Sequence, residues 1–398
     1  MTQCAPPVWP VGFLAGSVCA GIKKQGVPDL ALILGESPLT AAAVFTKNLV
    51  CAAPIQLSKS HLAYSHTKIS ALLINSGCAN AATGAEGLTR ARRATTALAA
   101  LLHVDATTVL TNSTGVIGVQ LPVDRIEAAL PSLVASVQAG SCESFARAIM
   151  TTDTRPKWST RTIHWTVGAT AHTCRVTGVA KGAGMIHPNM ATMIAVLATD
   201  ATCTPHDLDA LLRHAVDRSF HRISVDGDTS TNDSVFALAS CTSGTPPAAE
   251  LAEAFDAVAQ DLALLVVRDG EGFERGIEVR VIGAKTSDDA LQVARTIAMS
   301  LLVRTAVTGG DPNWGRILAA AGRAGVAFNP ETVRLSTGGI ELFAHGAPTA
   351  SDLAAVRLAF TAELVRIELD LSMGSASDHF WSCGLTKRYV EINADYTT

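Results

Sequence analysis

Short apolar runs alternate along the chain with longer stretches in which apolar residues return at three- and four-residue spacing. The first pattern predicts strands and the second helices, together a mixed α/β fold. Strands are expected at 31–34, 71–74, 175–180, 193–197, 235–240 and 278–282, each bounded by Gly, Asn, Thr or Ser. Helices are expected over 88–102, which is rich in Ala, Leu and Arg, and over 249–268 and 290–306. Another is expected over 205–221, with the Thr204 hydroxyl as its cap and Pro205 at the first helical position. The Ser-Gly-Thr-Pro-Pro run that opens at Ser243 reads as a surface connector. One dominant core is expected, with residues 1–280 as the main layered domain and 281–398 as a smaller C-terminal subdomain.

Composition narrows what such a fold serves. The chain has 398 residues, 48% of them hydrophobic but only 5% aromatic, so Ala and Val dominate and suit closely packed layers. No apolar run approaches the roughly 18 to 20 residues of a membrane span. With 31 basic and 35 acidic residues scattered and a net charge of −4, there is no electrostatic footprint for nucleic acid or an anionic membrane. Small-molecule partners are the expectation. Nine cysteines stand singly with no CxxC pair, which points away from a disulfide framework or a zinc site and toward a reducing cytoplasm. The amino-terminal MTQCAPPVWPVGF has no basic region followed by an apolar one, so no secretory signal is expected.

The chemistry concentrates in KGAGMIHPNMATMIAVLATDA, from Lys181 to Ala201. A threonine hydroxyl within a chain is a poor nucleophile, but a threonine at a new amino terminus carries its own base in the α-amine. Thr192 becomes one if its Oγ attacks the Ala191 carbonyl and the resulting ester is hydrolysed. Gly182 and Gly184 permit unusual backbone angles ahead of that bond, Pro188 stiffens the approach, and Ala191 offers an unhindered carbonyl. Taken alone, an Ala-Thr pair before an apolar run equally suits the start of a buried strand. A second candidate is TNSTGVIG from Thr111, because acyl transfer builds charge on a carbonyl oxygen and needs donors aimed at it. By itself it also reads as a Ser-Thr-Gly turn ending a strand.

The stretch at Thr192 resembles the autoprocessing signature of the glutamate N-acetyltransferase (ornithine acetyltransferase) family of arginine biosynthesis. Further blocks resemble the same family in the same order: AAVFTKNLVCAAPI, LLINSGCANAATGAEG, TNSTGVIG, IMTTDTRPK, SVDGDTSTNDSV, RDGEGF, TGGDPNWGRILAAAG and YVEINADYTT. They run from about residue 40 to Thr398. The resemblance implies a layered α/β/β/α sandwich of the DmpA-like type, cleavage between Ala191 and Thr192 into chains 1–191 and 192–398, and an α2β2 assembly of them. It implies Thr192 as nucleophile, with the Thr114 hydroxyl and the Gly115 N–H as oxyanion hole. It assigns substrate contacts to Thr152, Lys181, Thr192, Glu271, Asn393 and Thr398, with Thr151 and Thr154 competing for the place of Thr152. The substrates implied are N2-acetylornithine and glutamate, with no metal or cofactor, and acetyl-CoA as an alternative donor in a bifunctional enzyme. An amidase or aminopeptidase with an amino-terminal nucleophile, and a scaffold without catalysis, are the other classes; the first would hydrolyse instead of transferring. Where many relatives read NSGNANA, this chain carries Cys78.

Other motifs carry less. DGDTSTND from Asp226 has Thr231 where a calcium loop needs glycine and Ala237 where it needs glutamate, so its Asp226-Gly227-Asp228 is expected instead to be a turn bonding the loops around the site. There is no GxxxxGK phosphate loop. His187 is expected to be an ordinary loop residue, since an amino-terminal threonine needs no further base.

Overall fold

The computed structural model describes residues 5–187 and 193–395. They form two compact units: the chain up to His221 together with Asp228–Val266, and Arg222–Gly227 with the chain from Val267 onward.

The first unit runs β1 (Phe13–Val18), β2 (Leu30–Phe45), α1 (Ala53–Ser65), β3 (Ile69–Cys78), α2 (Gly84–Leu102), β4 (Val109–Val116), α3 (Val123–Ser136), α4 (Glu143–Ala148), β5 (Lys157–Val167), β6 (Thr170–Lys181), β7 (Ile194–Thr199), α5 (Pro205–Arg218), β8 (Ser234–Ala239) and α6 (Ala248–Val267). Its strands lie in the order β4-β3-β2-β8-β7-β6-β5, with β1 beside β2. The long β2 belongs to two half-sheets. Leu30 to Leu34 pair with β3, the register breaks before Leu39, and Thr40 to Phe45 pair with β8.

Period-two alternation then builds the layers. Ala31, Ile33, Leu72 and Ile74 from one half-sheet share a buried core with Ile194, Val196, Phe236 and Leu238 from the other, and Phe145 of α4 lies among them. Leu30, Leu32, Ala71 and Leu73 face the opposite way, onto Leu98 of α2 and Ile126 and Leu130 of α3. On the far side of the second half-sheet, Gly178 lies under α6 so closely that a Cβ there would stand 2.5 Å from Val258 Cγ1 and 2.7 Å from Leu262 Cδ1. The layers are therefore helix, sheet, sheet, helix, the α/β/β/α arrangement expected. The α5 helix begins as anticipated, with Pro205 in its first turn and the Thr204 hydroxyl accepting the Asp207 N–H.

The second unit runs β9 (Gly276–Ala284), α7 (Ser287–Ala298), α8 (Leu301–Thr308), α9 (Trp314–Gly322), β10 (Arg334–Thr337), β11 (Ile340–Ala344), β12 (Ala347–Pro348), α10 (Leu353–Phe360), β13 (Leu364–Asp370), β14 (Ala376–Cys383) and α11 (Lys387–Asp395). Its sheet order is β12-β11-β10-β13-β9-β14, with its own core from Val279 and Ile297 to Ile367 and Phe380.

Three expectations need correction. The boundary at 280/281 falls inside β9, whose apolar alternation looks like that of earlier strands but whose partners, β13 and β14, lie downstream. A single dominant core gives way to separate cores in the two units, and Arg222–Gly227 joins the second unit because Ile223 bridges Trp381 and Arg222 pairs with Asp378 at 3.0 Å. The helix expected over 290–306 breaks at Met299 and Ser300 into α7 and α8. Among the described residues no single helix is long and apolar enough to cross a membrane.

Candidate active site

Thr114 and Gly115 sit at the end of β4, in parallel register with Ser76 and Gly77 of β3. Gly115 has φ +129°, and a Cβ on it would lie 2.3 Å from the Gly77 carbonyl carbon and 2.6 Å from the Cys78 nitrogen. Only glycine fits there. The turn is held by buried amides. Asn75 Nδ2 donates to the Cys78 carbonyl at 2.9 Å, Ser113 Oγ donates to Asn75 Oδ1 at 2.6 Å, and Asn232 Nδ2 donates to the carbonyls of Ala79 and Ser113 at 2.6 and 2.8 Å. Asn232 belongs to the DGDTSTND stretch, and Thr229 of the same stretch donates to the His187 carbonyl at 2.8 Å. These bonds from the stretch to the neighbouring loops thus come from Thr229 and Asn232, residues the sequence gave no reason to single out, next to the Asp226-Gly227-Asp228 turn that was expected to make them.

Lys181 ends β6 opposite Ile194, the first residue of β7. Its Nζ donates to Thr114 Oγ1 at 3.1 Å, with both residues buried. An ammonium carries donors only, so the threonine oxygen accepts and its own proton is left to point elsewhere. Ala191, Thr192 and Thr398 lie outside the described residues. Immediately after Thr192, the Met193 carbonyl accepts the Ser234 N–H at 2.9 Å, which fixes β7 beside β8.

Thr151 and Thr152 are half-buried and Thr154 is exposed. Between them Asp153 is buried, and its carboxylate accepts from Lys157 Nζ at 2.6 Å, Gly182 N at 2.6 Å and Thr151 N at 2.9 Å. Burial pushes this carboxyl up, but the Lys157 and Lys181 ammonium groups and the hydrogen bonds outweigh it and hold the group well below the usual carboxylate range. Lys23 closes the cluster, donating to the Met150 carbonyl at 2.5 Å. Burial pushes its ammonium down, against the opposing pull of Asp29 and Asp153. Asp153, Lys157 and Lys23 were not anticipated. The one sequence signal was an Asp and a Lys four apart. Cys78 packs in the core outside the first half-sheet, its thiol donating to the Val119 carbonyl at 3.3 Å, so the substitution at this position is one of packing.

Glu271 and Asn393 belong to the second unit, which brings them together: Asn393 Nδ2 donates to Glu271 Oε2 at 2.9 Å. The next residue, Gly272, accepts through its carbonyl from Thr386 Oγ1 at 2.8 Å, so the loop of Glu271 is docked on the start of α11.

Residues 14–398 match the ArgJ family. The arginine biosynthesis bifunctional protein ArgJ of Thermosynechococcus vestitus is 45% identical over 97% of this chain and 96% of its own length. The protein of the same name from Thermus thermophilus is 44% identical over 98% and 99%. Among solved structures, the ornithine acetyltransferase of Mycobacterium tuberculosis in complex with ornithine is 36% identical, covering 48% of this chain and 98% of that one at a TM-score of 0.41. On the family match and the near full-length relatives, this chain belongs to the ArgJ family.

Proposed function

We propose that the protein moves the acetyl group of N2-acetylornithine to glutamate, through an acetyl ester on Thr192 formed after cleavage of the Ala191–Thr192 bond. The observation that carries this reading is the contact between Lys181 and Thr114. It ties the residue paired with the first position of β7 to Thr114, whose hydroxyl the resemblance assigns to the oxyanion hole.

The Thr192 hydroxyl attacks the acetyl carbonyl carbon while its proton passes to the α-amine of the same residue. The carbonyl electron pair moves onto oxygen, where the Thr114 hydroxyl and the Gly115 N–H hold it. Collapse breaks the C–N bond, and the proton goes to the departing amine of ornithine. The ester remains. The glutamate amine then attacks that ester, its surplus proton returns by way of the α-amine, and N-acetylglutamate leaves with Thr192 restored. No metal or bound cofactor enters these steps. Lys181 and Thr152 in the first unit, and Glu271, Asn393 and Thr398, are the assigned substrate contacts; a lysine suits a carboxylate and a glutamate an ammonium. Water must be kept from the ester, since hydrolysis would turn transfer into deacetylation.

The relatives carry the word bifunctional in their name, which favours acetyl-CoA as a second donor to glutamate on the same threonine. The working form in this reading is an α2β2 assembly of cleaved chains in the cytoplasm. The test is transfer of labelled acetyl from acetylornithine to glutamate, run beside an arm with acetyl-CoA. Release of free acetate alone would place the protein among the hydrolases instead.

A further inference from the structure

We propose that Asp153 is the positioning residue of this site: its one carboxylate sets Lys181 against Thr114 and aligns the Thr151-Thr152 segment with them. A carboxylate taken fully out of water is costly, and a buried acid–lysine pair is seldom better for stability than apolar side chains of the same volume. Its presence therefore asks what else its contacts do. Lys157 stands on β5 opposite Ala180 of β6 and would be enough to balance the charge. The two oxygens do more. Oδ1 also takes the N–H of Gly182, 29 positions along the chain, and Oδ2 takes that of Thr151. Each amide adjoins a residue assigned to substrate, Lys181 in one case and Thr152 in the other.

The consequence reaches the oxyanion candidates. With the backbone fixed at Gly182 and the strand fixed by its pairing to Ile194, the Lys181 side chain starts from an immobile base and meets Thr114 Oγ1 at 3.1 Å. That contact decides which way the threonine proton points. From the other side Lys23 pins the Met150 carbonyl, while its own N–H is held by Asp29 at 2.9 Å. Asp153 thus acts through Lys181 and through two backbone amides, and touches no reacting atom.

This inference rests on the acetyl-transfer reading for what Lys181 and Thr114 accomplish, whereas the tether itself is a matter of geometry. The test is the full-length Asp153→Asn, Lys157→Met double variant. It removes both buried charges at once and leaves an amide whose nitrogen cannot accept from Gly182 or Thr151. Its crystal structure and its transfer kinetics are read together. We expect a folded protein in which Lys181 no longer meets Thr114, with kcat lower by about 30- to 100-fold and KM for acetylornithine changed far less. An intact Lys181 to Thr114 contact, or a kcat within about threefold of wild type on the same scale, overturns the proposal. If the wild type transfers no acetyl group, the functional reading fails while the Lys181 to Thr114 distance still decides this one.

A second variant covers failure of the first to fold. Lys157→Met leaves Asp153 facing Lys23 and Lys181, without the cation that does most to keep it ionised. Its pH profile for kcat should gain an acid limb at higher pH than the wild type, as protonation of Asp153 releases the two amides. A profile of wild-type shape overturns the proposal.

Discussion

In the proposed reaction Thr114 has two partners: its oxygen accepts from Lys181, and its proton would be offered to the developing oxyanion. Thr114→Ala is expected to lower kcat by about 10²- to 10³-fold with little change in KM, the signature of an interaction made mainly in the transition state. Thr114→Ser, which keeps the hydroxyl, should retain most of the activity. Gly115→Ala is harsher, because the new Cβ meets the backbone of Gly77 and Cys78. It should lower both Tm and kcat. Asp153 makes a separate prediction through pH. Its folded pKa lies below the ordinary 3.8, so its contribution to stability is complete above that value and is lost as pH falls below it. Between about pH 4 and pH 2, the wild type should therefore lose stability more steeply than the Asp153→Asn, Lys157→Met variant in denaturant titrations. The cysteines add a simpler check. Burial pushes the thiols of Cys142, Cys174 and Cys203 up to about 12, whereas Cys19 is exposed. A thiol reagent near pH 8 should label Cys19 and spare those three until the protein unfolds.

Elements were legible where one face or both are apolar throughout. The runs at 31–34, 71–74, 175–180, 193–197 and 235–240 all lie on or within one residue of β2, β3, β6, β7 and β8, because strands buried largely on both faces read as mostly apolar runs. Strand β5, KWSTRTIHWTV, went unread. It is the sheet's edge, with polar and exposed positions mixed through its length. The break between α7 and α8 was equally silent, since apolar spacing continues across it. At the break Ser300 takes an extended backbone, and Arg304 of α8 then turns inward and donates to the Cys383 carbonyl at 2.7 Å. At the site, TNSTG stood out by its glycine and its hydroxyls as a turn at a strand end, which is where β4 places it, while its proposed role came from the resemblance. The Asp153 tether was not, because its partners Thr151 and Gly182 offer backbone N–H groups that any sequence would supply. Helix α6 lends itself to a direct test. Leu262 is fully buried over Gly178, so Leu262→Ala should cost about 2–5 kcal/mol of stability. Calorimetry on the purified variant would measure it.

On the scale of the whole molecule, the division into two units and the proposed division into two chains are different cuts. The units part at Val266 and Val267 and exchange Arg222–Gly227, whereas the proposed chains part inside the first unit, just ahead of β7. Cleavage there would leave β7 hydrogen-bonded to β6 and β8 to β2 across the cut, so the sheet itself would hold the two chains together. That is a physical requirement for a nucleophile made by cutting the backbone, and the topology meets it. The most direct measurement is the intact mass of the purified protein, beside its transfer activity and that of Thr192→Ala. Two polypeptides are expected, one ending at Ala191 and one beginning at Thr192, together with a Thr192→Ala protein that stays whole and inactive. A single uncut wild-type chain with full transfer activity would contradict the proposed mechanism.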